Sequence, residues 1–316
     1  MEKVQLGQTD LQIYPVAFGG NVFGWTLDEK QSFEILNGFT GAGFNFIDTA
    51  DVYSRWKPGN SGGESETIIG KWMKEKKNRQ EIILTTKVGS DMGDGKKGLK
   101  KQYILKAVED SLKRLQTDYL DLYQTHFDDE GTQVQETLEA YDQLVKDGKI
   151  RWIGTSNMSP ERIRESLETS EKQNLPAYKT LQPHYNLYFR ENYETNLEPL
   201  VKEFGLGVFT YYSLESGFLT GKYRSKEDLD KSPRGGGMEK YFNDRGMKIL
   251  AALDKISKEY NATPAAVSLA WLIQHATVTA PIVSATSLKQ LDSIIQAPEL
   301  KLDSNAIEFL NAESAW

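Results

Sequence analysis

Asp48, Tyr53, Lys87 and His126 are the side chains in this sequence best suited to moving a proton. Asp48 and Tyr53 lie in Asp48-Thr49-Ala50-Asp51-Val52-Tyr53, directly after the apolar run Phe44-Asn45-Phe46-Ile47. Lys87 closes Thr85-Thr86-Lys87 after Ile82-Ile83-Leu84, and His126 follows 119–125. Taken singly, each has an ordinary explanation: a turn-capping Asp, a rim aromatic, a solvated Lys, a core His. Taken together they suit one task. Free tyrosine ionises near pH ~10 and is a weak donor at neutrality. A neighbouring ammonium favours the phenolate and lowers that pKa, while a carboxylate keeps the ammonium charged and placed. A histidine can hydrogen-bond a substrate oxygen and share the donor role. Such a set suits protonation of a carbonyl oxygen during reduction. None of its members supplies a hydride, so a cofactor is required.

The elements that would carry these groups follow from the hydrophobic pattern. Short apolar runs predict strands near 16–19, 44–48, 82–86, 119–125, 150–155, 180–183, 206–210 and 278–283. Helical patterns fall near 28–42, 64–76, 100–114, 132–147, 159–169, 193–204 and 287–295. Ser159-Pro160 and Thr263-Pro264 each place a cap before a proline at the first helical position, the second helix ending near His275. Asp147-Gly148 stops the helix before the fifth strand. This alternation predicts parallel strands joined by crossover helices, with the strand ends converging on one face. Outside it lie a predicted hairpin at 4–13 and a long segment, 217–244, containing Gly235-Gly236-Gly237. Such a segment after the seventh strand is either disordered or a cover for a bound cofactor.

With 316 residues, 39% of them hydrophobic, the chain fits a single α/β barrel domain, 1–316. Net charge is −7 and no run of about five or six like charges occurs, so nucleic acid and anionic membrane have no electrostatic attraction here. The lack of cysteine excludes disulfides, thiolate catalysis and a Cys-ligated metal. His126, His184 and His275 lack the close spacing of a zinc site, and no metal is expected. The first residues have no apolar signal region, and no apolar stretch approaches the ~18 residues of a membrane span. A cytoplasmic protein is expected.

Five motifs carry a family resemblance. They are 43–53, Gly63-Glu64-Ser65-Glu66, Thr85-Thr86-Lys87, 118–126, and Gly148-Lys149-Ile150-Arg151-Trp152-Ile153-Gly154-Thr155-Ser156-Asn157. From Val4 to about Ala297 the chain resembles the aldo-keto reductases. The resemblance implies a (β/α)8 TIM barrel, with an N-terminal β-hairpin and a long loop after strand 7, and NADP(H)-dependent reduction of an aldehyde, ketone or sugar carbonyl. It makes Tyr53 the general acid, Lys87 its pKa depressor, Asp48 the partner of Lys87 and His126 the substrate orienter.

The same resemblance implies a cofactor cradle. Ser156, Asn157 and Gln182 would hold the nicotinamide amide, and Tyr211 would stack on its ring. Gly20, Asp48, Ser213 and Leu214 join the cofactor-binding positions. Gly217 and Lys222 match a pyrophosphate loop, and Arg234 a second clamp. Ser284, Thr286, Lys289 and Gln290 mark the adenosine end. Two departures stand out: Ser213 replaces a common Pro, and Gln290 stands where some members aim an Arg at the 2′-phosphate. NAD(H) therefore stays possible. Two alternatives stay open: a slow-turnover nicotinamide-binding regulatory subunit like the potassium-channel β-subunits, and an NAD-preferring sugar or alcohol dehydrogenase. The lack of an added N-terminal partner segment weighs for the enzyme. Substrate, direction, and monomer versus homo-oligomer are left open by the sequence.

Overall fold

The computed structural model describes residues 2–316. A short antiparallel hairpin comes first: β1 (Val4–Gln5) pairs with β2 (Gln12–Ile13). Eight further strands close a parallel barrel: β3 (Ala17–Gly19), β4 (Phe46–Asp48), β5 (Ile83–Val88), β6 (Leu120–Thr125), β7 (Ile150–Ser156), β8 (Thr180–Gln182), β9 (Gly207–Thr210) and β10 (Ala280–Val283). They neighbour one another in chain order, and β10 returns to β3 through Ile282↔Ala17 and Val283↔Phe18. This is the TIM barrel with an N-terminal hairpin that the sequence pattern predicts.

The helices outside the barrel are α1 (Glu29–Gly41), α2 (Glu64–Lys76), α3 (Lys101–Leu115), α4 (Val134–Lys146), α5 (Pro160–Gln173), α6 (Glu198–Phe204), α7 (Asp244–Glu259), α8 (Pro264–Ile273), α9 (Leu288–Gln296) and α10 (Ser304–Glu313). Both predicted Pro-led starts form their caps: Ser159 accepts from Arg162 N–H and Thr263 from Ala266 N–H. Before α6 the chain makes one wider π-helical turn, Tyr193–Leu197, where the pattern predicts a single helix. Two helices escape the sequence pattern. Asn243 caps α7, which buries Ile249, Leu250, Leu253 and Ile256 on one face. Asp303 caps α10, which buries only Ala306 and Leu310. The long segment after β9 is a series of short 3-10 turns, at Glu215–Thr220, Lys226–Lys231, Gly235–Gly237 and Glu239–Tyr241.

Two cores explain why the site lies at one end only. The larger fills the space between strands and helices. The smaller lies inside the barrel: Phe46, Leu122, Phe209 and Ile282 meet the hairpin residues Leu6, Leu11 and Ile13. Phe46 and Phe209 touch with ring centroids 5.1 Å apart. Truncating such a buried ring to alanine typically costs ~3–5 kcal/mol. The hairpin approaches so closely that a Cβ on Gly207 would stand 2.5 Å from Gly7 N. The N-terminal mouth of the barrel is therefore plugged, and polar side chains gather at the C-terminal ends of the strands.

Candidate active site

Register sets the geometry. Gly19, Asp48 and Thr85 lie side by side across β3, β4 and β5. Lys87 is two residues beyond Thr85, hence on the same face, and pairs with Gln124 of β6. The Lys87 ammonium is fully buried. It donates to Asp48 Oδ2 at 2.7 Å, to the Thr49 carbonyl at 2.8 Å and to the Tyr53 hydroxyl at 3.0 Å. The Tyr53 hydroxyl also lies 3.3 Å from Asp48 Oδ2. The His126 ring stands edge-on to Tyr53 with centroids 6.0 Å apart, and its Nδ1 is 2.8 Å from Ser90 Oγ. The four residues singled out in the sequence thus meet at one strand-end cluster.

Burial dominates the electrostatics. It pushes the Tyr53 phenol well above its usual range, and the Asp48 carboxylate adds to the rise. The sequence argument expects the neighbouring ammonium to lower it; here Asp48 is the nearer partner of Lys87 and neutralises its charge. Burial lowers Lys87, against the opposing pull of Asp48. His126 is held well below the imidazole range by burial and then by Lys87, so its ring is neutral.

Residues not singled out complete the cluster. Gln124 donates to Asp48 Oδ1 (3.4 Å) and Thr85 Oγ1 (3.0 Å), and Ser90 contacts His126. Gln124 lies in β6 two residues before His126, which directly follows that strand, and this period-two spacing is the signal that would have found it. Trp56 stands against Tyr53 at 6.0 Å and Trp25 against Trp56 at 5.6 Å; nothing in their spacing announces this.

The expected nicotinamide contacts form a connected group. Ser156 Oγ donates to the Gln182 carbonyl (2.8 Å), Asn157 Nδ2 bonds Ser156 Oγ (3.0 Å) and the His126 carbonyl (2.8 Å), and the Tyr211 hydroxyl donates to Asn157 Oδ1 (2.9 Å). The Gln182 amide turns inward to Asp48 Oδ1 at 3.0 Å. Ser213 is buried and donates to the Thr210 carbonyl (2.9 Å), while Leu214 begins the turns of the long segment.

The expected phosphate and adenosine positions divide into two groups. The Arg234 guanidinium is half-buried, stacks on Trp25 at 5.1 Å and donates to the Asn21 amide oxygen at 2.9 Å. Among the described residues it has no carboxylate partner, and burial lowers its pKa. Asn21 in turn lies 2.7 Å from Ser284 Oγ, which donates to the Gly19 carbonyl (2.6 Å). A Cβ on Gly217 would sit 3.1 Å from Lys222 Nζ, so a bare backbone and a cation adjoin there. Gly20 is buried, and a Cβ there would meet Ser65 Oγ at 2.7 Å. At α9, Gln290 accepts from Thr286 N–H (2.8 Å), which leaves exposed Lys289 as the cation of that helix start. A half-buried guanidinium without an anion, a lysine beside a glycine turn and an aromatic platform suit a nicotinamide dinucleotide.

The pattern of the Aldo/keto reductase family matches residues 15–313. This chain belongs to that family. Among its relatives are the Uncharacterized oxidoreductase YrpG of Bacillus subtilis, 34% identical over 98% of this chain and 95% of the relative. The Aldo-keto reductase YhdN of Bacillus subtilis is 33% identical over 93% and 86%. A Probable voltage-gated potassium channel subunit beta of Oryza sativa is 31% identical over 92% and 89%. The protein is thus an oxidoreductase of the aldo/keto reductase family, a family whose members generally use NAD(P)H. No helix among its described residues is long and apolar enough to cross a membrane.

Proposed function

We propose that this aldo-keto reductase reduces an aldehyde, ketone or sugar carbonyl with NADP(H), Tyr53 acting as the general acid. The observation that carries the proposal is the convergence of the Tyr53 hydroxyl, the Lys87 ammonium 3.0 Å from it and the neutral His126 ring at the one open barrel mouth. When bound, the reduced nicotinamide supplies the hydride for the carbonyl carbon. Ser156, Asn157 and Gln182 would hold its amide and Tyr211 its ring; Lys222 and Arg234 would take the phosphates. As charge develops on the carbonyl oxygen, Tyr53 gives up its proton, and Lys87 stabilises the phenolate that remains. In the tautomer where the Ser90 hydroxyl donates to Nδ1, His126 carries its proton on Nε2 and would orient the substrate oxygen. Steady-state assay with a generic aldehyde and either cofactor tests the proposal. NADPH-dependent turnover in the usual range of about 1–10³ s⁻¹ supports it.

The likeness to the rice protein supports a second reading, a cofactor-holding regulatory subunit. Tight cofactor binding with turnover far below about 1 s⁻¹ on every carbonyl tried would favour that one.

A further inference from the structure

His184, its side chain 27% exposed, pairs with the buried Glu215, and the reduction chemistry does not use this pair. His184 Nε2 lies 2.7 Å from Glu215 Oε2. Glu215 is only 3% exposed. The same carboxylate accepts from Asn186 Nδ2 at 2.7 Å and from the Tyr241 hydroxyl. Three donors from two regions therefore converge on one oxygen pair: the stretch after β8 and the far end of the long segment.

The two ends of this pair reach different parts of the proposed cofactor site. His184 bridges to Tyr211 through the backbone, and its ring stacks on the Tyr211 ring at 5.2 Å with 24° between planes. Phe189 backs the imidazole at 4.4 Å and Tyr212 meets it edge-on at 5.3 Å. Glu215 opens the turn that leads to Gly217 and Lys222. There the backbone takes left-handed conformations at Tyr212 (φ 53°), Glu215 (φ 45°) and Ser216 (φ 53°), which residues with a Cβ adopt only when neighbours hold them. Glu215 supplies that hold through its side chain.

We infer that His184 and Glu215 are positioning residues that tie the nicotinamide platform to the phosphate turn, so that cofactor affinity depends on the pair. The inference rests on the cofactor site proposed above. The buried carboxylate is satisfied only while His184, Asn186 and Tyr241 all reach it, so loss of one partner loosens both ends of the tie. The groups facing His184 are Glu215 and the phenols Tyr211 and Tyr212, with Tyr241 reaching the pair through Glu215. Tyr211 is pushed up to about 12 by burial, and Tyr241 is also raised by burial and then by Glu215. Burial pushes Glu215 up, but His184, Tyr241 and Asn186 outweigh it and the net shift is downward.

The test is the dissociation constant of NADP⁺, measured by tryptophan quenching on the whole protein for wild type, His184→Gln, Glu215→Gln and the double variant, with circular dichroism reporting folding. Each single variant is expected to bind about tenfold more weakly, a common size for site coupling, and the double variant about as weakly as either, since the two side chains act as one tie. Cofactor KM should rise in these variants while kcat at saturation stays within about twofold, since neither residue touches the reacting atoms. Wild-type affinity in both single variants, or losses that simply add in the double variant, overturns the inference while leaving carbonyl reduction intact. No NADP⁺ binding by wild type overturns both. Should His184→Gln fail to fold, Glu215→Gln against wild type decides by its affinity.

Discussion

The Lys87 ammonium lies 2.7 Å from Asp48 Oδ2 with neither side chain exposed to solvent by more than 1%. A pair so buried is held by its full set of partners. Lys87 uses Asp48, the Thr49 carbonyl and Tyr53, while Asp48 is also met by Gln124 and Gln182. Removing one charge and leaving the other costs far more than the pair contributes. The arrangement is a rigid mount for the tyrosine hydroxyl.

Tyr53→Phe is expected to leave folding and cofactor affinity unchanged and to lower kcat about 10²–10⁴-fold, the usual span for a lost general acid. Stopped-flow or steady-state reduction of an aldehyde measures it. A variant retaining more than about a tenth of the rate places the proton donor elsewhere.

The pH profile should fall on the alkaline side. Tyr53 is shifted upward and keeps its proton there, whereas Lys87 is shifted downward and loses its charge below the ordinary lysine value of about 10.4. Reduction should therefore decline as pH rises towards that value. Lys87→Met should remove this decline and lower the rate at every pH. His126 is already neutral well below pH ~6.5, so it adds no acid limb near neutrality. A profile unchanged in shape by Lys87→Met contradicts the assignment.

Asp51→Asn should stabilise the fold at neutral pH. Asp51 is 2% exposed, its Oδ1 has no hydrogen-bond partner, and burial followed by Glu66 raises its pKa well above 3.8. The folded state holds a proton that the unfolded chain releases above about pH 4, so Asp51 costs stability from there upward. Removing the ionisable group should gain ~1–3 kcal/mol at pH 7, and the gain should vanish as pH falls to about 4. Chemical denaturation at the two pH values measures it. Equal stability of variant and wild type at both would show that the acid is accommodated without cost.

Tyr211→Ala should weaken cofactor binding by ~1–2 kcal/mol, the low part of the range for stacking on an aromatic ring. It also removes the ring that His184 supports and the hydroxyl bonded to Asn157. Titration of the cofactor against intrinsic fluorescence gives the constant. Unaltered affinity would move the nicotinamide away from this ring.

Lys289→Ala should weaken NADPH severalfold and leave NADH nearly unaffected. The 2′-phosphate brings about −1.5 to −2 charge, and Gln290 is occupied with Thr286. The NADPH advantage should shrink as salt rises. Equal loss for both cofactors would show that Lys289 contacts something other than the 2′-phosphate.

Much of this was legible because local pattern and tertiary position coincide. Asp48, Lys87 and His126 each end a buried run, and in a parallel barrel such ends share one face. Gln182 illustrates the limit. Its strand-end position was visible, but the turn of its amide towards Asp48 depends on a residue 134 positions away. The His184–Glu215 pair depends on two loops meeting across β8 and β9. The long segment reads as coil because its 3-10 pieces are three to six residues long and carry no periodic apolar face. Helix α10 hides for a related reason: two buried residues give too little stripe to stand out.

The seam between β3 and β10 sets the schedule on which this chain becomes a protein. Ala17 and Phe18 hydrogen-bond with Ile282 and Val283, partners synthesised more than two hundred residues later. Until then β3 is an open edge, and the hairpin that plugs the barrel rests on an unclosed wall. Closing so long a loop makes folding slow. During that wait the apolar lining of Phe46, Leu122 and Phe209 lies in an incomplete barrel, exposed to association with other chains. A nascent chain ending before Ala280 would carry two unpaired edges, one at β3 and one at β9.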